Sequence, residues 1–261
     1  MKEMEKVLEI MEILRGENGC NWDKKQTHES LLPYVIEETY EVVDALEKKD
    51  FDSIKEELGD LLFQIVFHAQ LAKEAGKFEF RDILESLSQK LISRHPHVFG
   101  NPENLTSEEV LENWDKLKAK ENLIKGVQLE SILDGIPRSL PALAKAEKLQ
   151  QKAAKVGFDW QRPEEIVDKI QEELEELKQE LNNSKKNFQR VEEELGDLLF
   201  AVVNLSRFLK LSSELALRKA NEKFEFRFKK MEQEARQKGL QFHTLSLWEM
   251  EELWSKVKEQ N

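Results

Sequence analysis

Four blocks of polar residues occur twice in this chain, in the same order and at nearly constant separations. The separations run from 133 to 140 positions. The repeated pairs are Glu38 and Glu41 with Glu173 and Glu176, Glu57 and Asp60 with Glu194 and Asp197, Lys90 and Arg94 with Lys223 and Arg227, and Trp114 and Lys118 with Trp254 and Lys258. Such self-similarity indicates a tandem duplication of one structural unit. We therefore predict a first module at residues 1–122, a connector at 123–138 and a second module at 139–261.

Both modules are predicted to be all-α. Only 10 of the 261 residues are glycine and 6 are proline, whereas 35% are charged, and this mixture favours helices over sheets. Apolar residues recur three and four positions apart, as on one face of an amphipathic helix. In the first module helices are expected at 3–15, from about 31 to about 76 with a break at Lys49 and Asp50, at 83–94, and at 109–121. Pro96 should stop the third of these segments, and 95–109 should be a loop.

The stretch from Glu172 to Asp197 contains two acidic clusters, separated by a polar break at 182–184. Each cluster borders an apolar stripe, formed by Ile166, Ile170, Leu174, Leu177 and Leu181 on one helix and by Val191, Leu195, Leu198, Leu199 and Val202 on the next. At about 100° per residue, Glu173 lies roughly 60° from the centre of its stripe and Glu176 lies one turn further. Glu172 and Glu175 point away. An antiparallel hairpin would therefore bring Glu173, Glu176, Glu194 and Asp197 together at the edge of a core.

An acidic cluster on a helix does not by itself indicate a metal site. With 52 Asp and Glu residues in the chain, most such clusters are solvated helix faces. These carboxylates, however, are retained in both modules, whereas surface charges without a role drift freely. Four hard oxygen donors on rigid helices suit Mg²⁺, with Mn²⁺ as a substitute, and leave coordination positions for water and phosphate oxygens.

The repeated cations, together with the carboxylates, predict a site that binds a polyphosphate. Lys223 and Arg227 are spaced i, i+4 and share one helix face, as do Trp254 and Lys258. A metal ion bridges phosphate oxygens and lowers the pKa of a bound water, and nearby cations stabilise charge on the leaving group. The sequence has no Walker-type glycine loop and no GxGxxG. Taken singly, Lys223 and Arg227 are more simply explained as members of surface ion pairs, and Trp254 fits a core position as well as base stacking.

Three other chemically active side chains are not repeated. His95 and His97 flank a proline and have no counterpart in the second module, so a loop role is the simpler explanation. Cys20 also has no counterpart and is assigned no chemistry.

The net charge and the composition indicate which binding partners and which cellular compartment to expect. A net charge of −12 argues against broad nucleic-acid binding, which requires a basic face. The single cysteine rules out an intramolecular disulfide and fits a reducing compartment. The N-terminus lacks the basic start and apolar run of a signal peptide, and no stretch approaches the roughly 20 apolar residues of a membrane span. We expect a cytoplasmic protein without membrane or nucleic-acid partners.

The motifs together resemble the MazG family of nucleoside triphosphate pyrophosphohydrolases. The resemblance is carried by EExxE, by ELGD followed by LLF, by KxxxR and by a late WxxxK. It extends over essentially the whole chain through the strings GENGCNWD, RHPHVFG, IPRSLPAL and VGFDW. It implies an all-α fold and Mg²⁺-dependent hydrolysis between the α and β phosphates of nucleoside triphosphates. It also implies homodimers in which the helices of two subunits complete the bundles.

Carried over by position, the resemblance gives each repeated residue a role. Glu173, Glu176, Glu194 and Asp197 would hold Mg²⁺, Lys223, Arg227 and Lys258 would be the catalytic cations that contact the phosphates, and Trp254 would shape the nucleotide end. The counterparts in the first module are Glu38, Glu41, Glu57, Asp60, Lys90, Arg94, Trp114 and Lys118. Because Pro96 follows Arg94 so closely, the second module is favoured as the working site.

Two other interpretations remain open at the level of sequence. The same site would serve a pyrophosphohydrolase with a narrower substrate, such as dUTP or phosphoribosyl-ATP. The repeated polar residues would also serve a helical module that senses nucleotide without turnover, since binding and catalysis use the same ligands.

Overall fold

The chain, described here by a computed structural model, divides into two units, Met1–Val127 and Gln128–Asn261. The structure describes residues 2–100, 104–107, 109–110, 113–114, 117, 130–183 and 187–259. Within these ranges all regular structure is helical, which confirms the all-α prediction. None of the helices in these ranges is both long enough and apolar enough to cross a membrane. The module boundaries drawn from the sequence, at 122 and 139, stay predictions.

The first unit contains five helices with continuous described bounds. They are α1 (Lys2–Arg15), α2 (Leu32–Lys48), α3 (Phe51–Glu74), α4 (Phe80–Arg94) and α5 (Pro96–Phe99). Helices α2 and α3 pack against each other, and α1 and α4 both contact α3. The turn between α2 and α3 forms because Lys49 adopts a left-handed conformation and the Asp50 carboxylate accepts a hydrogen bond from Asp52 N at 3.1 Å. The predicted break at these two residues is thus confirmed.

The core of the first unit lies where α1 and α4 meet α3. It consists of Met11, Leu31, Val66, Phe67, Ala69 and Phe80. Arg15, the last residue of α1, binds the Glu74 carboxylate through two nitrogens at 2.7 and 2.8 Å, and its guanidinium lies 5.5 Å from the centre of the Phe67 ring. A bidentate pair with a nearly buried arginine fixes the end of α1 on the end of α3.

The second unit repeats this order of elements. It contains α6 (Ala142–Ala154), α7 (Pro163–Asn182), α8 (Phe188–Phe208), α9 (Ser213–Gln237) and α10 (Leu247–Glu259). Helices α7 and α8 form an extensively packed hairpin, α6 lies on α8, and α9 contacts α6, α8 and α10. The side chains of Asn187 and Ser212 cap α8 and α9 by accepting hydrogen bonds from backbone N–H groups of the first turn. Asn182 ends α7 at the predicted polar break.

Two details differ from the sequence-based expectations. Residues 95–109 are not entirely a loop, because Pro96 begins the short helix α5, a position at which its missing N–H is not needed. In addition, the apolar stripe of α8 is not fully covered, since Leu195, Leu199 and Val202 remain about half exposed. The predicted stop of α4 is confirmed at Arg94.

Candidate functional site

Three of the four predicted carboxylates of the second unit meet between α7 and α8. Oxygens of Glu173, Glu194 and Asp197 all lie within 4.8 Å of one another. Glu173 and Glu194 are only 6% and 8% exposed, whereas Asp197 is open to solvent. Two buried carboxylates this close to a third are electrostatically unfavourable without a compensating positive charge.

The burial of the acidic residues on α7 follows the helical period. Glu173 is buried and Glu176 is half-buried, whereas Glu172 and Glu175 are exposed. Glu175 forms an ion pair with Lys178 at 2.9 Å on the outer face of the helix. This is the arrangement predicted from the angular position of each residue relative to the apolar stripe.

Glu176, the fourth predicted carboxylate, lies close enough to influence Glu194. Burial raises the pKa of Glu194 above its usual value, and the negative charges of Glu176 and Asp197 raise it further, while Arg190 acts in the opposite direction. The raised pKa means that ionised Glu194 is less stable in the folded chain than in water. A bound cation would remove that penalty.

The first unit brings its counterparts together in a more open arrangement. Oxygens of Glu38, Glu41 and Glu57 lie within 4.8 Å of one another, but Glu38 and Glu57 are only half-buried and Glu41 is exposed. Burial raises the pKa of Glu38, and the charges of Asp60 and Glu41 raise it further. Burial and the neighbouring carboxylates also raise the pKa of Glu57. All four predicted residues therefore belong to one electrostatic cluster.

The predicted cations of the second unit form a separate group on α9 and α10. The guanidinium of Arg227 lies 6.0 Å from the centre of the Trp254 ring, and the Phe224 ring packs 5.3 Å from the same tryptophan. The Nε atom of Arg227 is buried and has no hydrogen-bond partner among the described residues. Lys223 and Lys258 are exposed. Within the described residues no ion pair or hydrogen bond connects these cations to the four carboxylates.

The corresponding cations of the first unit are arranged similarly as far as they are described. The guanidinium of Arg94 lies 5.5 Å from the centre of the Trp114 ring, which matches the contact between Arg227 and Trp254. Lys90 is exposed. Lys118 lies outside the residues that the structure describes. His95 packs its ring edge-on against Trp114, with the ring centres 5.1 Å apart.

Two cations that contact the carboxylates were missed from the sequence. Lys169 Nζ lies 2.8 Å from Glu173 and 2.9 Å from Glu172, and these two carboxylates raise the pKa of the lysine. Arg190 lies 3.5 Å from Glu194. Both are four residues before their carboxylate on the same helix, so the spacing was visible. Neither is repeated, because Tyr34 and Ser53 stand at the equivalent positions of the first module.

The donor set of the second unit fits a hard divalent cation. Carboxylate oxygens are the ligands that Mg²⁺ and Mn²⁺ prefer, and a cluster with an exposed member leaves room for other oxygen ligands. Lys169 and Arg190 supply part of the positive charge that the cluster requires. The cations on α9 and α10 provide further groups able to bind an anionic ligand.

Comparison with known proteins shows which family the chain is similar to. Residues 26–99 and 161–232 each match the MazG nucleotide pyrophosphohydrolase domain. Over 261 residues the chain is 49% identical to a nucleoside triphosphate pyrophosphohydrolase of Escherichia coli strain K12, and the match covers 100% of this chain and 98% of that protein.

Two proteins of Thermotoga maritima are also similar. Over 254 residues the chain is 48% identical to a nucleoside triphosphate pyrophosphohydrolase/pyrophosphatase MazG, covering 97% of this chain and 95% of that protein. A crystal structure of a mazG-related protein covers 44% of this chain and 98% of its own, at 30% identity and a TM-score of 0.39. The two matched domains and the full-length similarity confirm the resemblance seen in the motifs. The chain belongs to the MazG nucleotide pyrophosphohydrolase family.

Proposed function

We propose that this chain is a Mg²⁺-dependent nucleoside triphosphate pyrophosphohydrolase, with Mn²⁺ as a substitute metal. It would cleave ribo- and deoxyribonucleoside triphosphates between the α and β phosphates to a monophosphate and pyrophosphate, and so remove unwanted nucleotides from the cytoplasmic pool. The main support is the cluster of Glu173, Glu194 and Asp197, whose oxygens lie within 4.8 Å in a chain otherwise similar to named pyrophosphohydrolases.

The four carboxylates of the second unit would hold the metal. Glu173 and Glu194 provide buried, fixed oxygens, Asp197 provides an exposed one, and Glu176 lies beside Glu194. When bound, Mg²⁺ supplies Lewis-acid chemistry that polarises phosphoryl oxygens and activates water. Rigid helices keep the carboxylates in place before the metal arrives, so little conformational entropy is lost on binding.

The cations on α9 and α10 would contact the phosphates. Lys223, Arg227 and Lys258 would stabilise the negative charge that builds on the departing pyrophosphate. Trp254 packs against the Arg227 guanidinium and would fix its orientation at the nucleotide end of the site.

Product analysis tests the proposal. Purified protein incubated with Mg²⁺ and a nucleoside triphosphate is expected to release pyrophosphate and monophosphate in equal amounts. Nuclear magnetic resonance of phosphorus distinguishes these products from diphosphate and inorganic phosphate. Release of diphosphate would mean attack at the γ phosphorus and would overturn the proposed reaction. Binding without any product would instead indicate a nucleotide sensor, and turnover of dUTP or phosphoribosyl-ATP alone would indicate the narrower enzyme.

We further propose that the chain functions as a homodimer. Leu195, Leu199 and Val202 lie on one face of α8 and stay about half exposed, and contiguous apolar surface of this kind marks an interaction site. At about 100° per residue, Glu194 and Asp197 point more than 90° away from the centre of this exposed face, so a second copy on the face would leave the carboxylates open. Sedimentation equilibrium should give twice the chain mass of 30.6 kDa. Charged substitution at Leu199 should shift the mass towards that of one chain.

A further inference from the structure

Two histidines of the first unit meet outside the carboxylate cluster. His28, in the loop between α1 and α2, places its Nδ1 atom 2.7 Å from Nδ1 of His68 on α3. The ring centres are 5.0 Å apart and the ring planes differ by only 4°. With these distances the rings meet edge to edge, so that the two Nδ1 atoms face each other. Each ring thus directs one nitrogen towards the other.

The protonation of this pair makes both nitrogens available to a metal. Burial lowers the pKa of His68, and the charge of His28 lowers it further. His68 is therefore neutral at pH 7, which is the form of imidazole that binds metals. In a neutral pair one hydrogen lies between the two Nδ1 atoms, on one ring or the other. Its transfer to Nε2 of the same ring frees both Nδ1 lone pairs without a change in net charge.

The distance between the nitrogens fits two neighbouring ligands of one metal ion. With metal–nitrogen bonds of about 2.0–2.1 Å, two ligands at right angles are about 2.9 Å apart, and two tetrahedral ligands about 3.4 Å. The observed 2.7 Å is closer to the first value, which belongs to the tetragonal geometry of Cu²⁺ and Ni²⁺. His28 is exposed, so its ring can turn to bring both lone pairs onto one ion.

The loop holds the backbone of His28 in place through bonds of its own. Thr27 N–H donates to Ser30 Oγ at 2.9 Å, and Leu31 N–H donates to the carbonyl oxygen of Thr27 at 3.2 Å. Leu31 is 1% exposed and belongs to the core of the first unit. His28 therefore lies in a hydrogen-bonded turn that is fixed to the core beside it. An ion would bind a pair that the fold has already brought together.

The second unit has no counterpart of this pair. At the separation of 137 that relates Asp60 to Asp197, His68 corresponds to Leu205. The separations on either side of His28, 138 and 135, place it between residues 163 and 166, where the sequence is PEEI. The pair therefore lies outside the set of polar residues shared by the two units, and its role is distinct from theirs.

We propose that His28 and His68 form a site for a transition-metal ion of the Ni²⁺ or Cu²⁺ class, bound through the two Nδ1 atoms and completed by water. Imidazole nitrogen suits these ions, whereas Mg²⁺ prefers carboxylate oxygen. The histidine pair and the carboxylate clusters are thus selective for different metals. An ion at the pair would link the loop between α1 and α2 directly to α3.

Calorimetric titration with Ni²⁺ tests the inference. Excess Mg²⁺ is present throughout to occupy the carboxylates, and every protein carries Cys20→Ser to remove the exposed thiol as a competing ligand. We expect one Ni²⁺ per chain at the pair. His28→Ala should weaken this binding on the order of tenfold or more, because one of two linked ligands is lost. The side chain of His28 is exposed, so this variant should fold.

The remaining histidines provide the controls. His97→Ala removes a member of the other neighbouring pair, in which the ring centres of His95 and His97 are 5.6 Å apart. His243→Ala removes a single exposed histidine of the second unit. Neither control should change the affinity for Ni²⁺ at the pair. His68→Gln should weaken it as His28→Ala does, with circular dichroism confirming the fold, and His28→Ala alone decides the test if His68→Gln does not fold.

Proton magnetic resonance locates the ion independently of affinity. Addition of Ni²⁺ should shift or broaden the ring signals of His28 and His68 before those of His243. Binding should weaken as the pH falls below about 6, because protonation removes the lone pairs. Absence of Ni²⁺ binding by the Cys20→Ser protein would overturn the inference. So would binding that His28→Ala leaves unchanged, or binding that His97→Ala abolishes.

Discussion

At the scale of single residues, burial separates carboxylates that adjoin one another in the sequence. Glu172, Glu173 and Glu175 have the same functional group on the same helix, but only Glu173 is turned into the space between α7 and α8. Sequence reasoning predicted this because the angle between successive helical residues is fixed. The contacts of Lys169 and Arg190 with the carboxylates were not predicted, because neither cation is repeated in the first module.

The first prediction compares these three glutamates. Glu173→Gln keeps the shape of the side chain and removes the charge of one proposed metal ligand, so we expect kcat/KM to fall on the order of 100-fold or more. Glu172→Gln and Glu175→Gln affect solvent-exposed ion pairs and should change it less than about threefold. Pyrophosphate release under saturating Mg²⁺ provides the measurement. Similar losses in all three variants would show that the buried face is not the metal-binding face.

At the scale of elements, the hairpin of α7 and α8 accumulates negative charge where the helices meet. Glu194 has a raised pKa, so the folded chain binds a proton there more readily than the unfolded chain does. Its contribution to stability is complete below the unfolded pKa near 4.5 and is lost as the pH rises through the higher folded-state value. In metal-free protein at neutral pH, this carboxylate therefore opposes folding.

A thermal experiment follows from this charge. In the presence of a chelator at pH 7, Glu194→Gln should melt at a higher temperature than the wild type, because the variant carries no charge at this position. The difference should shrink as the pH falls through the raised folded-state pKa towards the ordinary value near 4.5, because the wild-type carboxyl then becomes protonated. Added Mg²⁺ should raise the Tm of the wild type and have little effect on the variant. Glu193→Gln is the matched control, since that exposed neighbour also pairs with Arg190 but lies outside the cluster, and it should show no gain.

Helix length distinguishes the two copies at the same scale. The helix that carries Lys90 and Arg94 ends at Arg94, whereas α9 continues ten residues beyond Arg227 to Gln237. This difference was predictable from Pro96 alone, because proline removes a backbone donor and clashes with the preceding turn. The partial exposure of the α8 stripe was not predictable. The same sequence pattern of apolar residues occurs whether the stripe is covered by a helix of the same chain or by a second copy of the chain.

At the scale of the whole molecule, each unit contains a copy of the same carboxylate cluster, and the two copies differ in burial. The carboxylates of the second unit are more deeply buried, and its long helix α9 positions the cations. The sequence predicted the duplication from its polar residues. The contact between His28 and His68 was not predicted, because these residues are 40 positions apart and meet only in the folded unit.

Substitutions at corresponding glutamates of the two units show which unit performs the hydrolysis. If the second unit performs the chemistry, Glu173→Gln should nearly abolish pyrophosphate release and Glu38→Gln should retain most of it. If both units turn over substrate independently, each variant should retain roughly half. Circular dichroism should confirm that both variants and the double variant are folded. Near-complete loss from Glu38→Gln alone would assign the working site to the first unit.

The ion pair between Lys169 and Glu173, at 2.8 Å, has a consequence for the assembly of the second unit. Proteins whose metal ligands repel one another until the ion arrives often depend on that ion to fold. Here Lys169 is a counter-ion on the same helix, so the two helices can pair without a bound ion, and the metal of the proposed function would be needed for activity but not for assembly.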